Sequence, residues 1–195
     1  MSDRTVVTYN LFASGLPKDQ HYVLWMLGLG QAPRATTDAY LNGDGEVVNV
    51  LADPAHHVAE DAIDLKIFGS KGEPFQFAVI SDDGALRAFT LFVPFPMEKT
   101  SGTCRLSVVE GAPHYEAVAV SVTGLQLNET FVIEMHSENE GGRSNVTASP
   151  QGTYAITVFP FVKGNTSGKA KIAVEVQSCK LEIEFPWGQG SQKYQ

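Results

Sequence analysis

Short runs in which apolar and polar residues alternate follow one another along this chain, and each run is closed by a turn signal. Period-two runs of this kind read as half-buried β-strands. Thr5 to Ala13, rich in β-branched and aromatic residues, predicts the first strand. His21 to Leu27 is almost continuously apolar and predicts a central strand buried on both faces. Gly28 to Thr37 reads as a loop, Asn42-Gly43-Asp44-Gly45 as a hairpin turn, and Glu46 to Leu51 as the next strand. Ala52 to Asp61 is the only stretch with helical character, enough for a single turn. Ile63, Leu65 and Ile67 alternate with Asp64 and Lys66. Phe75 to Ser81 and Leu86 to Phe95 flank a second hairpin turn at Asp82-Asp83-Gly84. That makes about seven strands by Phe95, the count of an immunoglobulin-like sandwich.

The pattern then starts again. Gly15 to Met26, GLPKDQHYVLWM, is echoed at Gly124 to Met135, GLQLNETFVIEM, 109 residues on and without a gap. Gly, Leu, Val and Met recur, Tyr22 becomes Phe131 and Leu24 becomes Ile133. Each copy is a turn feeding a strand, and two copies in register point to a duplicated domain. The same offset maps Ile63, Leu65 and Ile67 onto Ile172, Val174 and Val176, which extends the expected correspondence. Further strands are expected at Cys104 to Val109, Glu116 to Thr123, Thr130 to His136, Thr153 to Phe159, Lys171 to Val176 and Lys180 to Phe185, with a loop at Glu138 to Gly142. Pro94, Pro96 and the polar run Glu98 to Gly102 mark the domain boundary. The expected fold is all-β: two tandem immunoglobulin/fibronectin-III-like β-sandwich domains, residues 1–97 and 98–195.

Composition narrows the partners. The chain has 195 residues and a formal net charge of −8, which suits neither nucleic acid nor an anionic membrane surface, since phosphate binding needs clustered Lys and Arg. No apolar run approaches a membrane span. The N-terminus lacks the basic region and apolar core of a signal peptide. The chain is therefore either cytosolic or a mature exported chain whose leader has been removed and Met1 added. A β-rich chain with few Cys favours the second, a secreted or periplasmic location.

Little in the sequence carries recognisable chemistry. His56 and His57, followed by Glu60, Asp61 and Asp64, are a conceivable metal set. Neighbours on a strand point to opposite faces, however, so a solvated loop is the preferred reading and no metal or other cofactor is assigned. Asp44, Asp82 and Asp83 stand beside glycines, where turn chemistry explains them without calcium. No nucleophile elbow or H-E-x-x-H helix is present, so no catalytic residue is nominated. Asn128, Asn145 and Asn165 lie in N-x-S/T sequons, read here as ordinary β-protein turn and loop composition. Aromatic-proline clusters recur at Phe92 to Pro96, Phe159 to Phe161 and Phe185 to Trp187. Trp187, Phe185 and Phe161 are the candidate ligand-binding residues, because aromatics suit a carbohydrate or protein partner. The plainer reading is that such residues close strand ends and pack the junction between sandwiches.

The only cysteines, Cys104 and Cys179, both fall in the second half. Cys104 opens its first strand and Cys179 precedes its last. Those two strands often lie side by side in immunoglobulin-like sandwiches, so a disulfide is expected, with two buried free thiols as the alternative.

The motifs EGG, QGTY, FPFVKG, SGKA and FPWGQGS, within Ser137 to Ser191, resemble the C-terminal half of uncharacterised secreted bacterial proteins with tandem immunoglobulin-like modules. Over a dozen residues GLPKDQHYVLW also resembles the G-L-P-x-x-x-x-Y-x-L-W pattern in the extracytoplasmic β-domain of anti-sigma factors. These resemblances imply a fold and an exported location and bring no catalytic residues. The expected function is a non-enzymatic binding or structural role at the cell surface or periplasm. The alternatives are a carbohydrate-active protein, whether binding module or hydrolase, and a two-sandwich periplasmic chaperone with an open apolar edge at Leu86 to Phe95 and Arg87 as its cation.

Overall fold

The computed structural model describes residues 7–18, 20–50, 60–63 and 65–189. Among these residues the chain is all-β apart from one 3-10 turn, Pro113–Tyr115. It divides into two compact units, Met1–Gly69 with Pro74–Pro94 and Ser70–Glu73 with Phe95–Gln195.

The first unit contains β1 (Val7–Tyr9), β2 (Tyr22–Gly28), β3 (Arg34–Leu41), β4 (Val47–Val50), β5 (Glu60–Ala62), β6 (Leu65–Ile67), β7 (Phe75–Ser81) and β8 (Arg87–Phe92). Six of these strands form one sheet in the order β5-β4-β3-β2-β7-β8, and β1 pairs with β6 in a second, two-stranded sheet. Tyr22, Leu24, Leu41, Val47, Phe75, Phe77 and Val79 from the large sheet pack with Leu65 and Ile67 from the small one. The hairpin turn at Asn42 is held by its own side chain, whose Oδ1 accepts from the backbone N–H of Asp44 (3.0 Å) and of Glu46 (2.9 Å).

The second unit contains β9 (Met97–Ser101), β10 (Cys104–Glu110), β11 (Val118–Thr123), β12 (Thr130–Ser137), β13 (Glu140–Thr147), β14 (Tyr154–Val158), β15 (Ser167–Val176) and β16 (Cys179–Gly188). They form two four-stranded antiparallel sheets, β14-β11-β10-β9 and β13-β12-β15-β16. The facing residues, among them Leu106, Val108, Val120, Val122, Phe131, Ile172, Val174 and Phe185, make one apolar core. Cys104 and Cys179 are joined by a disulfide with Cα atoms 6.5 Å apart. The bridge ties β10 to β16, one strand from each sheet, so it staples the two layers together.

Several sequence expectations need correction. Gly28 to Thr37 is only partly loop, because β3 begins at Arg34; its first four side chains are mostly exposed, so they carry no apolar alternation. Glu138 to Gly142 is a tight turn leading into β13, an edge strand whose side chains are nearly all exposed. The polar run Glu98 to Gly102 is not a solvated linker: most of it is β9, paired with β10 from Met97 opposite Val108 to Ser101 opposite Cys104. Glu60 and Asp61 lie on β5 rather than on a helical turn. The return of the 109-residue offset has no structural meaning. β6 pairs with β1, whereas β15 lies between β12 and β16, the place that β7 holds between β2 and β8.

Candidate functional site

The two units share one element in full. Strands β3-β2-β7-β8 and β13-β12-β15-β16 have the same order and the same antiparallel sense. In both units the second strand of this four-strand series, β2 or β12, follows a left-handed glycine, Gly15 at φ +77° and Gly124 at φ +75°. Strand registers then fix equivalent positions. Trp25 lies opposite Ala78, which lies opposite Phe89; Glu134 lies opposite Ala173, which lies opposite Glu182. By the same pairing Ile80 corresponds to Glu175 and Leu91 to Glu184.

The inner faces agree: Tyr22 and Phe131, Leu24 and Ile133 are all buried. The outer faces do not. In the second unit the outer face is a lattice of ions. Arg143 reaches Glu134 at 3.2 Å and Glu175 at 3.9 Å, Lys171 reaches Glu182 at 3.7 Å, and Lys169 reaches Glu184 at 3.2 Å. Such pairs at a wet surface contribute little stability each, but they keep the face solvated. In the first unit the positions of Glu134, Glu175, Glu182 and Glu184 carry half-buried Trp25 and Ile80, with Phe89 68% and Leu91 58% exposed, while half-buried Val23 and Ala78 match Val132 and Ala173. This explains why β2 reads as a doubly buried strand: both its faces are apolar, yet only the inner one is covered within its unit.

One end of the first unit's apolar face is polar. His21 Nδ1 lies 2.7 Å from Asp82 Oδ1, and its Nε2 lies 3.3 Å from Asp38 Oδ1. At one side of the face, β8 is the last strand of its sheet. Its only charge is Arg87, at its first residue, so it has little of the charge that usually guards an open edge.

The second unit carries a different feature. After β14, Phe159-Pro160-Phe161 has Pro160 buried and both Phe side chains out, 59% and 63% exposed. The buried Ser137 hydroxyl donates to the Pro160 carbonyl and holds the segment down. The two rings form a ridge between two concavities. One, of about 480 Å³, is walled by Ile133, Val146, Tyr154 and Ile156 between the edge strands β13 and β14. The other, of about 470 Å³, is lined by Trp187 together with Glu116, Asn165, Thr166 and Gln189. Of the three residues nominated from sequence, Phe161 and Trp187 therefore share a concavity. Phe185 is 1% exposed and packs in the core against Tyr115, ring centroids 6.1 Å apart.

The wall of that second concavity rests on a buried carboxylate. Glu110, 6% exposed, accepts the backbone N–H of Tyr115 at 3.1 Å. Its carboxyl is pushed up to about 7, first by burial and then by the charge of Glu73, against the pull of the Tyr115 and His114 backbone N–H groups. The turn it holds is strained, with His114 at φ 61° and Tyr115 at φ 55° in the left-handed region. The Tyr115 hydroxyl donates to the Lys71 carbonyl at 2.6 Å, and Gly72 accepts from the Glu110 N–H at 2.8 Å. Glu110 thus joins the Ser70–Glu73 segment to the 113–115 turn, and neither concavity includes it among its walls.

Other sequence candidates stand apart from these surfaces. His56, His57 and Asp64 lie outside the described residues, and among the described residues no set of three metal-ligating side chains converges. Asp83 is held in its turn by the Ser81 hydroxyl (2.6 Å) and the Ala85 N–H (3.0 Å), which keep its carboxyl below the usual range. No described helix is long and apolar enough to cross a membrane.

No family model and no curated protein matches this chain.

Proposed function

We propose that the chain is a non-enzymatic, extracytoplasmic binding protein of two immunoglobulin-like β-sandwich units, and that the outer face of the β3-β2-β7-β8 sheet docks a protein partner. The observation that carries this reading is the exchange of side chains between equivalent positions: Glu134, Glu175, Glu182 and Glu184 in one unit, Trp25, Ile80, Phe89 and Leu91 in the other. The same strand arrangement therefore accommodates charge at these four positions, so the architecture does not require apolar residues there. An aromatic and aliphatic centre with a polar margin is the composition of a protein-binding patch. The Cys104–Cys179 bridge supports the location, since such bonds persist in oxidising compartments. A second reading, addition of an extended strand as in a chaperone, is favoured by β8 itself, an open edge that alternates Arg87, Phe89 and Leu91 outward.

A photo-crosslinking residue placed at position 89, with position 182 as control, tests the proposal in cells producing the protein. A discrete adduct from position 89 that disappears in Trp25→Glu is expected, with none from 182. Equal labelling at the two positions, or none at either, would refute the docking face. Strand addition is distinguished by backbone N-methylation along a candidate peptide, which abolishes edge pairing and leaves face docking intact.

A further inference from the structure

The second unit's concavity beside the Phe159–Phe161 ridge differs from the first unit's face in both shape and chemistry. It is concave, and it mixes aromatic walls with polar side chains. Phe159 and Phe161 stand exposed at its margin, and Trp187, 2% exposed and part of the core, lies against it. The indole Nε1 is buried and has no partner in the chain, an arrangement that costs roughly 1–3 kcal/mol where it persists. Gly168, opposite Trp187 in the β15–β16 ladder, makes room for the indole: a Cβ there would come 2.9 Å from Trp187 Cζ2. Glu116, Asn165 and Gln189 line the same space with exposed side chains, and none of the three side chains is engaged by another described residue. Between them they offer a carboxylate acceptor and two amides that both donate and accept.

We infer that this concavity is a saccharide-binding site, with Phe159 and Phe161 as the apolar walls, the buried Trp187 close enough to report on it, and Glu116, Asn165 and Gln189 as the hydroxyl-recognising groups. A pyranose has the matching chemistry, because one face of its ring is apolar C–H surface and its rim is a row of hydroxyls. The aromatic walls accept the former and the three polar side chains the latter. The volume, about 470 Å³, falls in the range of small-molecule sites and suits one or two sugar rings. Apolar side chains alone would leave all three polar side chains to water. The site is independent of the first unit's sheet face, so either can fail without the other.

The experiment is a glycan array probed with the full chain, followed by titration of each hit by intrinsic tryptophan fluorescence. Expected is a family of related glycans whose binding shifts the emission and weakens about tenfold or more in Phe161→Ala and in Gln189→Ala. Phe89→Glu should bind as the parent does, which separates this site from the docking face. Both lining substitutions are at exposed positions, and unchanged circular dichroism confirms the fold. Absence of any hit, or hits whose affinity ignores both substitutions, overturns the assignment. So does a glycan displaced by an apolar peptide that Gln189→Ala leaves unaffected, since that marks the aromatic ridge alone.

Discussion

Trp25 and Glu134 occupy the same position in two copies of one sheet, each directly opposite an alanine, Ala78 and Ala173. The backbone accommodates either side chain, so the difference between them reports what each face meets. The prediction is that Phe89→Glu, which installs the residue found at the equivalent Glu182, leaves stability within about 0.5 kcal/mol, as for most surface substitutions. It should abolish crosslinking from a photo-reactive residue moved to position 91, the next outward position of β8. Chemical denaturation together with the crosslinking assay checks both halves of the statement.

The converse experiment builds a patch. Glu175→Ile with Glu182→Phe copies two of the first unit's side chains onto the second unit's face, removes the partner of Lys171 and leaves Arg143 with Glu134 alone. Self-association that rises with protein concentration is expected, because a contiguous apolar face is no longer solvated. Sedimentation velocity reads the outcome, and a strictly monomeric double variant would show that such a face does not by itself attract a partner.

Reduction should act on one unit alone. The Cys104–Cys179 bridge closes a loop with a sequence separation of 75 residues, for which chain entropy gives at most about 4 to 5 kcal/mol. The described first unit contains no cysteine. Two thermal transitions are expected, with reductant or Cys104→Ala/Cys179→Ala lowering only the one that belongs to the second unit. Fluorescence of Trp25 against Trp187, one in each unit, tells them apart.

Glu110 gives the second unit a pH dependence of definite sign. Its carboxyl is raised from the ordinary 4.5 to about 7, so the folded state binds this proton more tightly than the unfolded chain does. The resulting contribution is fully present below the ordinary carboxylate range and is lost as pH rises through about 7. The difference amounts to about 3 kcal/mol at most. Glu110→Gln should therefore be flatter than the parent between pH 4.5 and 8, as measured by denaturant midpoints. Parallel curves would mean that Glu110 stays ionised throughout.

The paired glycines offer a sharper contrast. Both are left-handed, yet a Cβ on Gly15 meets nothing within 4 Å, while one on Gly124 would lie 1.9 Å from the Thr103 carbonyl oxygen. Gly15→Ala should cost about 1 kcal/mol, the ordinary penalty for this conformation. Gly124→Ala should cost several times more, because backbone must move. Equal losses in thermal unfolding would contradict the close approach.

What the sequence disclosed follows from where its patterns come from. Buried strands such as β7 and β10 are legible because every second side chain enters a core. β13 is not, since an edge strand with nearly all its side chains in water needs no alternation. The disulfide was readable from two cysteines set at the ends of one predicted sandwich. The apolar face was hidden by its own signal: an unbroken apolar run in β2 looks like burial on both sides, and only comparison with the alternating β12 reveals an uncovered one. Phe161 and Trp187 were identifiable as aromatics near strand ends, but their polar companions Glu116, Asn165 and Gln189 come from three separate connections that only the fold brings together.

The short segment Ser70–Glu73 carries a consequence for how this architecture can be inherited. It is spelled out within the first unit's stretch of chain, yet it belongs to the second unit, where Gly72 and Lys71 accept from Glu110 and Tyr115. The border between the units is therefore crossed three times along the chain, after Gly69, Glu73 and Pro94. A single genetic cut at any of these points strands one set of hydrogen bonds. The pair is a bound volume whose pages cannot be separated at one seam: neither unit can be lifted out intact by cutting the chain at a single point.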